Sequence, residues 1–302
     1  NSSSSLYGAF RSKQVDVLLS NSIEDTLRYK LYLLNKKNDI RESQSEPIEI
    51  SFISLRTNKI PLNNIDIRLA IAKSLNRELI RNKVSFSLRN SATSLIPLIF
   101  KKDNSVSWPD FDPKESKRIF KEQGYCDGNI FNLPLTYRSN VPTDKLIAFY
   151  WQQSVKAEMK DCFSISINGV ESTTIYKNLS EGIYPSVILD WTGAYSDPEA
   201  YLSPLLSCEK FIGNNCLKGE SVFSGSFWAS EKVEKLFKES ENLEGVERLN
   251  KLLEIEKIAS KSLPYIPIWA SSQKAWSQKY ISKPVFNGAG IINMSELVKN
   301  EK

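Results

Sequence analysis

The sequence contains no histidine among its 302 residues. Histidine is the general base of the usual serine and cysteine triads, and it is the most common metal ligand in proteins. Its absence therefore excludes those triads and histidine-ligated metal sites, and it argues against most hydrolases and oxidoreductases. We accordingly expect no catalytic residues, no bound metal and no cofactor.

Long apolar runs are also missing: no stretch has the ~18 consecutive apolar residues that a membrane-spanning helix needs. The chain begins at Asn1 rather than at a methionine, and it shows no charged segment followed by a short apolar one. That pattern is the signature of a secretory signal peptide. We interpret the start of the chain as that of a mature or trimmed polypeptide.

Basic stripes are a third absence. The 40 Lys and Arg residues stand against 35 Asp and Glu residues, which gives a formal charge of only +5, and both signs are mixed along the chain. Proteins that bind nucleic acid usually concentrate their basic residues on one face or one helix. We therefore predict no nucleic-acid partner.

Cysteine is scarce, and none of Cys126, Cys162, Cys208 and Cys216 belongs to a C-x-x-C pair. This spacing gives little support to a zinc or redox site. Cys208 and Cys216 flank a polar stretch in which buried thiols would be hard to place, so we predict a disulfide between them. For Cys126 and Cys162, a second bridge and two free thiols both stay open; two bridges would indicate an oxidising compartment.

What the sequence does contain is enough apolar residues, 41% of the chain, to bury a core of one or two domains. Apolar runs and helical periodicity alternate between residues 130 and 190, as in a parallel sheet with helical crossovers. The predicted elements are strand 133–137, a helix over 143–159 capped by Thr143, strand 163–167, a helix near 172–179 and strand 186–190. The predicted class is α/β.

Other segments are predicted with the same reasoning. Residues 48–55 alternate apolar and polar, which is typical of a strand with one buried face. Apolar residues from Ile67 to Ile80 recur at helical spacing after a cap at Asn64 or Asp66. The remaining predictions are a surface loop over 35–47, a helix opened by Asp112 and Pro113, strand 15–19 and strand 266–270.

Six segments carry motifs in a single order along the chain. They are PLNNIDIRLAIAKSLNR over 61–77, ATSLIP over 92–97, DP at 112–113 with GY at 124–125, WTGAYSDPEAYL over 191–202, FWASEKVEKL over 227–236 and LPYIPIW over 263–269. Each motif is weak alone. Together, over about residues 58–270, they resemble the extracellular solute-binding proteins of family 5, which are the peptide-, nickel- and oligopeptide-binding components of ABC importers.

The resemblance implies a periplasmic binding protein-like fold of type II, containing lobe III and part of lobe I. Residues 1–56 would form the C-terminal part of lobe I with a hinge strand, 57–264 lobe III, and 265–302 the returning hinge strand with the tail of lobe I. Strands 48–55 and 266–270 would be the hinge pair. The N-terminal part of lobe I and the small second domain would be absent.

The resemblance also implies a function. The protein would be a monomeric, non-enzymatic receptor that binds a peptide or peptide-like solute between two lobes and delivers it to an ABC permease. It would lie in the periplasm or be anchored as a lipoprotein on the extracytoplasmic face. The alternatives are a ligand-sensing or interaction module, a receptor for a nickel complex, haem or an oligosaccharide, and an enzyme using Asp190 and Glu199 as a glycosidase-type carboxylate pair.

The candidate solute site follows strand 186–190, because ligands of open α/β sheets lie beyond the carboxyl ends of the strands. Peptide-binding family members carry in this loop an aspartate that pairs with the peptide ammonium, and Ala194 occupies that position here. Asp190 or Asp197 could replace it, although Asp197, before Pro198, is favoured as a helix cap. The candidate residues are Asp190, Trp191, Thr192, Gly193, Ala194 and Tyr195.

Two candidate residues have competing interpretations. Trp191 is either a wall of the pocket or an ordinary core residue. Arg138 ends strand 133–137 and could clamp a carboxylate with its guanidinium, although a solvated loop arginine is slightly favoured.

Overall fold

The computed structural model of the protein describes residues 2–101 and 106–299. The strands are β1 (Val17–Leu19), β2 (Ile40–Leu55), β3 (Asn90–Ser91), β4 (Phe131–Arg138), β5 (Phe163–Val170), β6 (Ser186–Thr192), β7 (Lys210–Ile212), β8 (Asn215–Lys218) and β9 (Tyr265–Gln278). The α-helices are α1 (Ser3–Arg11), α2 (Asp25–Lys36), α3 (Ile65–Lys73), α4 (Arg77–Ser85), α5 (Pro113–Glu122), α6 (Pro142–Met159), α7 (Ser172–Asn178), α8 (Glu199–Leu206), α9 (Glu220–Phe223), α10 (Glu231–Ser240) and α11 (Gly245–Ser262). Short 3-10 helices cover Ser20–Ser22, Leu98–Phe100, Leu179–Glu181 and Met294–Glu296. Residue 1, residues 102–105 and residues 300–302 lie outside the described residues; they fall in the predicted segments 1–56, 57–264 and 265–302, respectively.

A mixed sheet organises the chain, with strand order β1-β9-β2-β6-β4-β5 and β3 beside β9. Strands β6, β4 and β5 are parallel and are joined through α6 and α7, so the predicted βαβαβ unit and the α/β class are confirmed. Strand β2 is antiparallel to both β6 and β9. Because β4, β5 and β6 are parallel, their carboxyl ends meet at one edge of the sheet.

The strands predicted as a hinge pair do pair, with Ile53 opposite Ile266, but both are longer than expected. Strand β2 begins at Ile40, where it lies opposite Gln278, so the surface loop predicted over 35–47 is wrong. Pairing with β9 satisfies the backbone polar groups of this hydrophilic stretch. The side chains are matched as well, since Glu42 forms a 2.9 Å ion pair with Lys274.

Two helix predictions also need correction. The helix predicted from Ile67 to Ile80 is two helices, because Asn76 caps the second one by accepting a 2.9 Å hydrogen bond from the Leu79 amide. Helix α6 begins at Pro142 after Val141, so Thr143 is not its cap. The predicted caps Asn64 and Asp112 are confirmed. Among the described residues, no helix is both long enough and apolar enough to span a bilayer.

The described residues form three hydrophobic clusters, two of them on this sheet and a third beside the β7–β8 hairpin that consists of Cys208, Cys216, Val222, Phe227 and Ala229. Of the two on the sheet, the larger one fills the space around β2, β4, β5, β6 and β9 and the helices α3 to α8, α10 and α11. The smaller one lies between α1, α2 and the far end of the β2–β9 pair, and its members are Phe10, Leu18, Ile23, Leu27, Leu31, Ile40 and Trp276. The predicted domain boundaries near residues 56 and 264 stay predictions.

Both candidate disulfides are formed. Cys208 and Cys216, the favoured pair, close the β7–β8 hairpin with their Cα atoms 5.8 Å apart. Cys126 and Cys162 join the segments that precede β4 and β5, with Cα atoms 3.9 Å apart. The second bridge therefore replaces the alternative of two free thiols.

A buried ion pair fastens the segment after β3 to helix α11. Lys101 Nζ lies 2.9 Å from Glu256 Oε2, and both side chains are almost fully buried. The other carboxylate oxygen of Glu256 accepts hydrogen bonds from the amides of Leu95 and Ile96 and from the hydroxyl of Ser94. Glu256 thus neutralises a buried cation and satisfies two backbone donors.

We predict that Glu256→Ala lowers the free energy of unfolding by about 3–5 kcal/mol, because it leaves the Lys101 ammonium buried without a counter-charge. Urea denaturation would measure the change. The matched control is Glu254→Ala on the same helix, which removes only an exposed pair with Lys232 and should cost less than about 0.5 kcal/mol. Equal effects of the two substitutions would contradict this account.

Candidate functional site

The candidate loop leaves the sheet at the carboxyl end of β6. Ser186 to Leu189 are buried, whereas Asp190 and Trp191 are half-buried and Thr192 is exposed. The neighbouring strand β2 sets Ser51 opposite Asp190 and Glu49 opposite Thr192. Opposite residues of an antiparallel pair share a face of the sheet, so Glu49 lies beside the predicted site.

Gly193 is required by its contacts rather than by its backbone angles. A Cβ atom at this position would lie 2.7 Å from Cε2 of Tyr201. The buried Tyr201 cannot move away easily, because its hydroxyl donates a 2.8 Å hydrogen bond to the carbonyl of Ile48. Tyr201 belongs to helix α8. Trp191 is held against the same helix, since its Nε1 donates a 2.7 Å hydrogen bond to the carbonyl of Ala200.

Ala194 and Tyr195 are exposed at the tip of the loop, and the next acidic residues hold the loop in place. Asp197 accepts a 2.8 Å hydrogen bond from the Glu199 amide at the start of α8 and lies 2.6 Å from Arg248. The hydrogen bond between the Arg248 guanidinium and the Asp197 carboxylate raises the pKa of Arg248. Glu199 also pairs with Arg248. The cap position of α8 is Pro198, so Asp197 is not the predicted cap, but its carboxylate does accept a hydrogen bond from the first amide of that helix.

Arg138 is buried, with 5% of its surface exposed, so the interpretation as a solvated loop residue is wrong. Its guanidinium lies 2.6 Å from Asp144 and 2.6 Å from Asp190, and it also donates to the Tyr176 hydroxyl. Burial alone would lower the pKa of Arg138, but the hydrogen bonds to Asp190 and Asp144 raise it above its ordinary value. The guanidinium clamps two carboxylates of the chain itself.

Arg138 and Asp190 belong to a larger group of charged residues at this edge of the sheet. We call it the charged cluster, and it consists of Asp25, Arg28, Glu49, Arg89, Arg138, Asp144 and Asp190. Sequence reasoning identified only Arg138 and Asp190 as site residues. The others stand in no motif, and although Asp144 lies only six residues after Arg138, Asp25, Arg28, Glu49 and Arg89 come from segments far from β4 and β6, so no local pattern could have brought them to this place.

Asp25, at the start of α2, connects the two hydrophobic clusters of the sheet through polar contacts. One carboxylate oxygen lies 2.9 Å from Arg89 Nη2, and the other accepts a 2.7 Å hydrogen bond from the Thr143 hydroxyl. The Arg89 guanidinium also stacks over the Trp269 ring, 4.4 Å from its centre. The Thr143 hydroxyl, which does not cap α6, thus helps to join α2 to α6.

Glu49 differs from the other carboxylates of the cluster. It makes no ion pair with any lysine or arginine in the described part of the chain, and its hydrogen bond from Gln273 is long, at 3.5 Å. Burial, followed by the negative charge of Asp190, raises its pKa. Within residues 2–101 and 106–299, no set of three or more acidic or cysteine side chains is placed to hold a metal ion.

Comparison with known proteins decides which family this architecture represents. The family described as bacterial extracellular solute-binding proteins, family 5, middle region, matches residues 1–212. The chain belongs to this family. The resemblance seen in the six motifs is thereby confirmed, and the family consists of solute-binding proteins.

Curated family-5 relatives are distant in sequence. Heme-binding protein A of Haemophilus influenzae is 24% identical over 268 residues, which cover 87% of this chain and 46% of that protein. The peptide transport periplasmic protein SapA of Salmonella typhimurium is 23% identical over 261 residues, covering 83% and 44%. The chain therefore spans about half the length of the curated relatives it matches.

Solved family-5 structures share the fold. A dipeptide binding protein from Pseudoalteromonas in complex with Met-Leu aligns over 99% of this chain and 56% of its own, with a TM-score of 0.78 and 21% identity. NikA from Brucella suis in complex with Fe(III)-EDTA aligns over 98% and 60%, with a TM-score of 0.81 and 17% identity. The fold is that of the periplasmic binding proteins.

We predict that Arg138→Gln lowers the free energy of unfolding by about 3–5 kcal/mol, because the buried Asp144 loses its counter-charge. Arg138→Lys should be milder, since it keeps the charge but cannot hold two carboxylates with one planar group. Thermal and urea unfolding would measure both variants, with the surface substitution Arg81→Gln as control. Unfolding that is unchanged in all three variants would show that Arg138 is not a structural clamp.

Proposed function

We propose that the protein is the solute-binding component of an ABC importer and takes up a peptide or peptide-like solute. The observation that carries the proposal is the carboxyl end of β6, where Asp190 pairs with Arg138 and Thr192 lies opposite Glu49, immediately before the loop that leaves the sheet. Membership of a family of solute-binding proteins supports it. The solute would lie against Trp191, Thr192, Gly193, Ala194 and Tyr195, with Asp190 below them.

The chemistry of this edge favours a polar, charged solute. Binding pockets combine apolar walls with a few placed polar groups; here Asp190 and Glu49 share one face of the sheet with the exposed Thr192, and Tyr195 is exposed in the loop that follows. A peptide presents the same mixture of charged ends and apolar side chains. Several relatives carry matching names, among them a di/tripeptide-binding protein of Pseudomonas aeruginosa.

The remaining parts of the proposal concern the whole protein. Residues 57–264 would act as lobe III, and the segments 1–56 and 265–302 would belong to lobe I, with β2 and β9 as the hinge. Closure of the lobes would enclose the solute, and an ABC permease would receive it. We propose a monomeric, non-catalytic receptor on the extracytoplasmic side, either free in the periplasm or anchored as a lipoprotein.

A second candidate is a receptor for a non-peptide solute. The names of a heme-binding relative and of a nickel-binding periplasmic protein of Escherichia coli favour it. The neutral Ala194 at the tip of the loop is consistent with either solute.

Mass spectrometry of small molecules extracted from the complete gene product, purified without denaturation, separates these candidates. We expect peptides to copurify in stoichiometric amounts. Recovery of haem or of a metal complex would instead support the second candidate, a receptor for a non-peptide solute. Recovery of no solute, from a protein that also fails to bind added peptides, haem and metal complexes, would contradict both candidates.

We predict that Gly193→Ala in the complete gene product weakens solute binding by roughly 10-fold or more, because forcing a methyl group into a packed contact costs about 1–3 kcal/mol. The loop would relieve the contact with Tyr201 by moving, and it would carry Ala194 and Tyr195 with it. Calorimetric titration would measure the affinity. The control is Gly288→Ala, where an added Cβ meets nothing within 4 Å. Equal affinities of the two variants would show that the loop is not part of the solute-binding site.

A further inference from the structure

The charged cluster contains one more carboxylate than cations. Its arginines are Arg28, Arg89 and Arg138, and its carboxylates are Asp25, Glu49, Asp144 and Asp190. A buried or half-buried charge is costly unless a counter-charge or several hydrogen bonds compensate it. The cluster therefore holds one more carboxylate than its own three arginines can balance.

Each arginine of the cluster is committed to another acceptor. Arg28 donates to the carbonyls of Ser20 and Ile23, and Arg89 donates to Asp25. Arg138 donates to Asp144 and Asp190. The three guanidinium groups consequently act on Glu49 only from a distance, and in the part of the chain that the structure describes Glu49 is the carboxylate of the cluster that has no ion-pair partner.

The position of Glu49 makes this charge available to a solute. It is half-buried on β2, directly opposite the exposed Thr192 at the start of the candidate loop. Its long hydrogen bond from Gln273 leaves most of its acceptor capacity unused. An ammonium group placed between the loop and β2 would supply the missing cation.

We propose that Glu49 is a specificity-determining residue that accepts the ammonium group of a cationic or zwitterionic solute. The inference rests on the proposed solute-binding function and deepens it, because it names the chemical group that is recognised. Asp190 is already paired with Arg138. It would fix the position of the strand end and add a second negative charge near the ammonium group.

The test uses the complete gene product and two probes: a mixture of dipeptides with free amino termini, and the same mixture after N-acetylation. Native mass spectrometry identifies the tightest binder, and calorimetric titration measures it in both forms. Glu49→Gln is isosteric, so the fold should survive, and its unfolding midpoint checks this. The matched control is Glu46→Gln, which changes an exposed glutamate of the same strand.

We expect Glu49→Gln to weaken the free-amine dipeptide by roughly 10- to 100-fold, the value of a charge-assisted hydrogen bond, and to leave the acetylated form unchanged. Glu49→Asp, which keeps the charge, should retain the preference for the free amine. Free-amine binding that is equally tight in Glu49→Gln and in the unsubstituted protein would overturn the inference while leaving peptide binding intact. Binding of neither mixture by the unsubstituted protein would overturn the peptide function together with the inference.

Discussion

The antiparallel pairing of β2 with β9 is the interaction on which the rest of the structure depends. These two long strands run from the larger hydrophobic cluster, where Phe52 and Ile266 are buried, to the smaller one, where Ile40 and Trp276 are buried. Hydrogen bonds between the strands satisfy the backbone along most of this path, which is interrupted by register shifts around Pro47 and between Ser51 and Phe52. A further connection between the two parts is polar, through Asp25 with Arg89 and Thr143, and Tyr29 of α2 stacks on Phe86 beside it.

This arrangement explains why charges gather at one edge of the sheet. The strand ends of β4 and β6 bring Arg138 and Asp190 to the place where α2 approaches from the smaller cluster with Asp25. Fixed charges that pair with one another keep the edge rigid, as Arg138 does, whereas a carboxylate without a cation can serve recognition. Structural and recognition roles therefore fall on neighbouring residues of the same group of charges.

Local patterns predicted the parts of the fold that depend on local chemistry. The βαβαβ unit followed from alternating apolar runs, and the caps Asn64 and Asp112 followed from side chains that accept hydrogen bonds from nearby amides. The first half of β2 could not be predicted, because its polar residues form a strand only by pairing with β9, which lies far along the chain. Helix α3 was predicted too long because the apolar pattern continues across the break that Asn76 creates.

The site divides in the same way. The loop from Asp190 to Tyr195 was identified from its motif and from its place after a strand. The burial of Arg138 and the involvement of Asp25, Glu49 and Arg89 depend on contacts between distant segments, and no pattern in the sequence indicates such contacts.

Hydrogen–deuterium exchange of the complete gene product, with and without its bound solute, tests the central claim most directly. The account predicts that the solute slows exchange at the backbone amides of residues 190–195 and of residues 46–50, on the facing part of β2. Slower exchange elsewhere in the protein, with both segments unchanged, would show that the solute does not lie at the carboxyl end of this sheet.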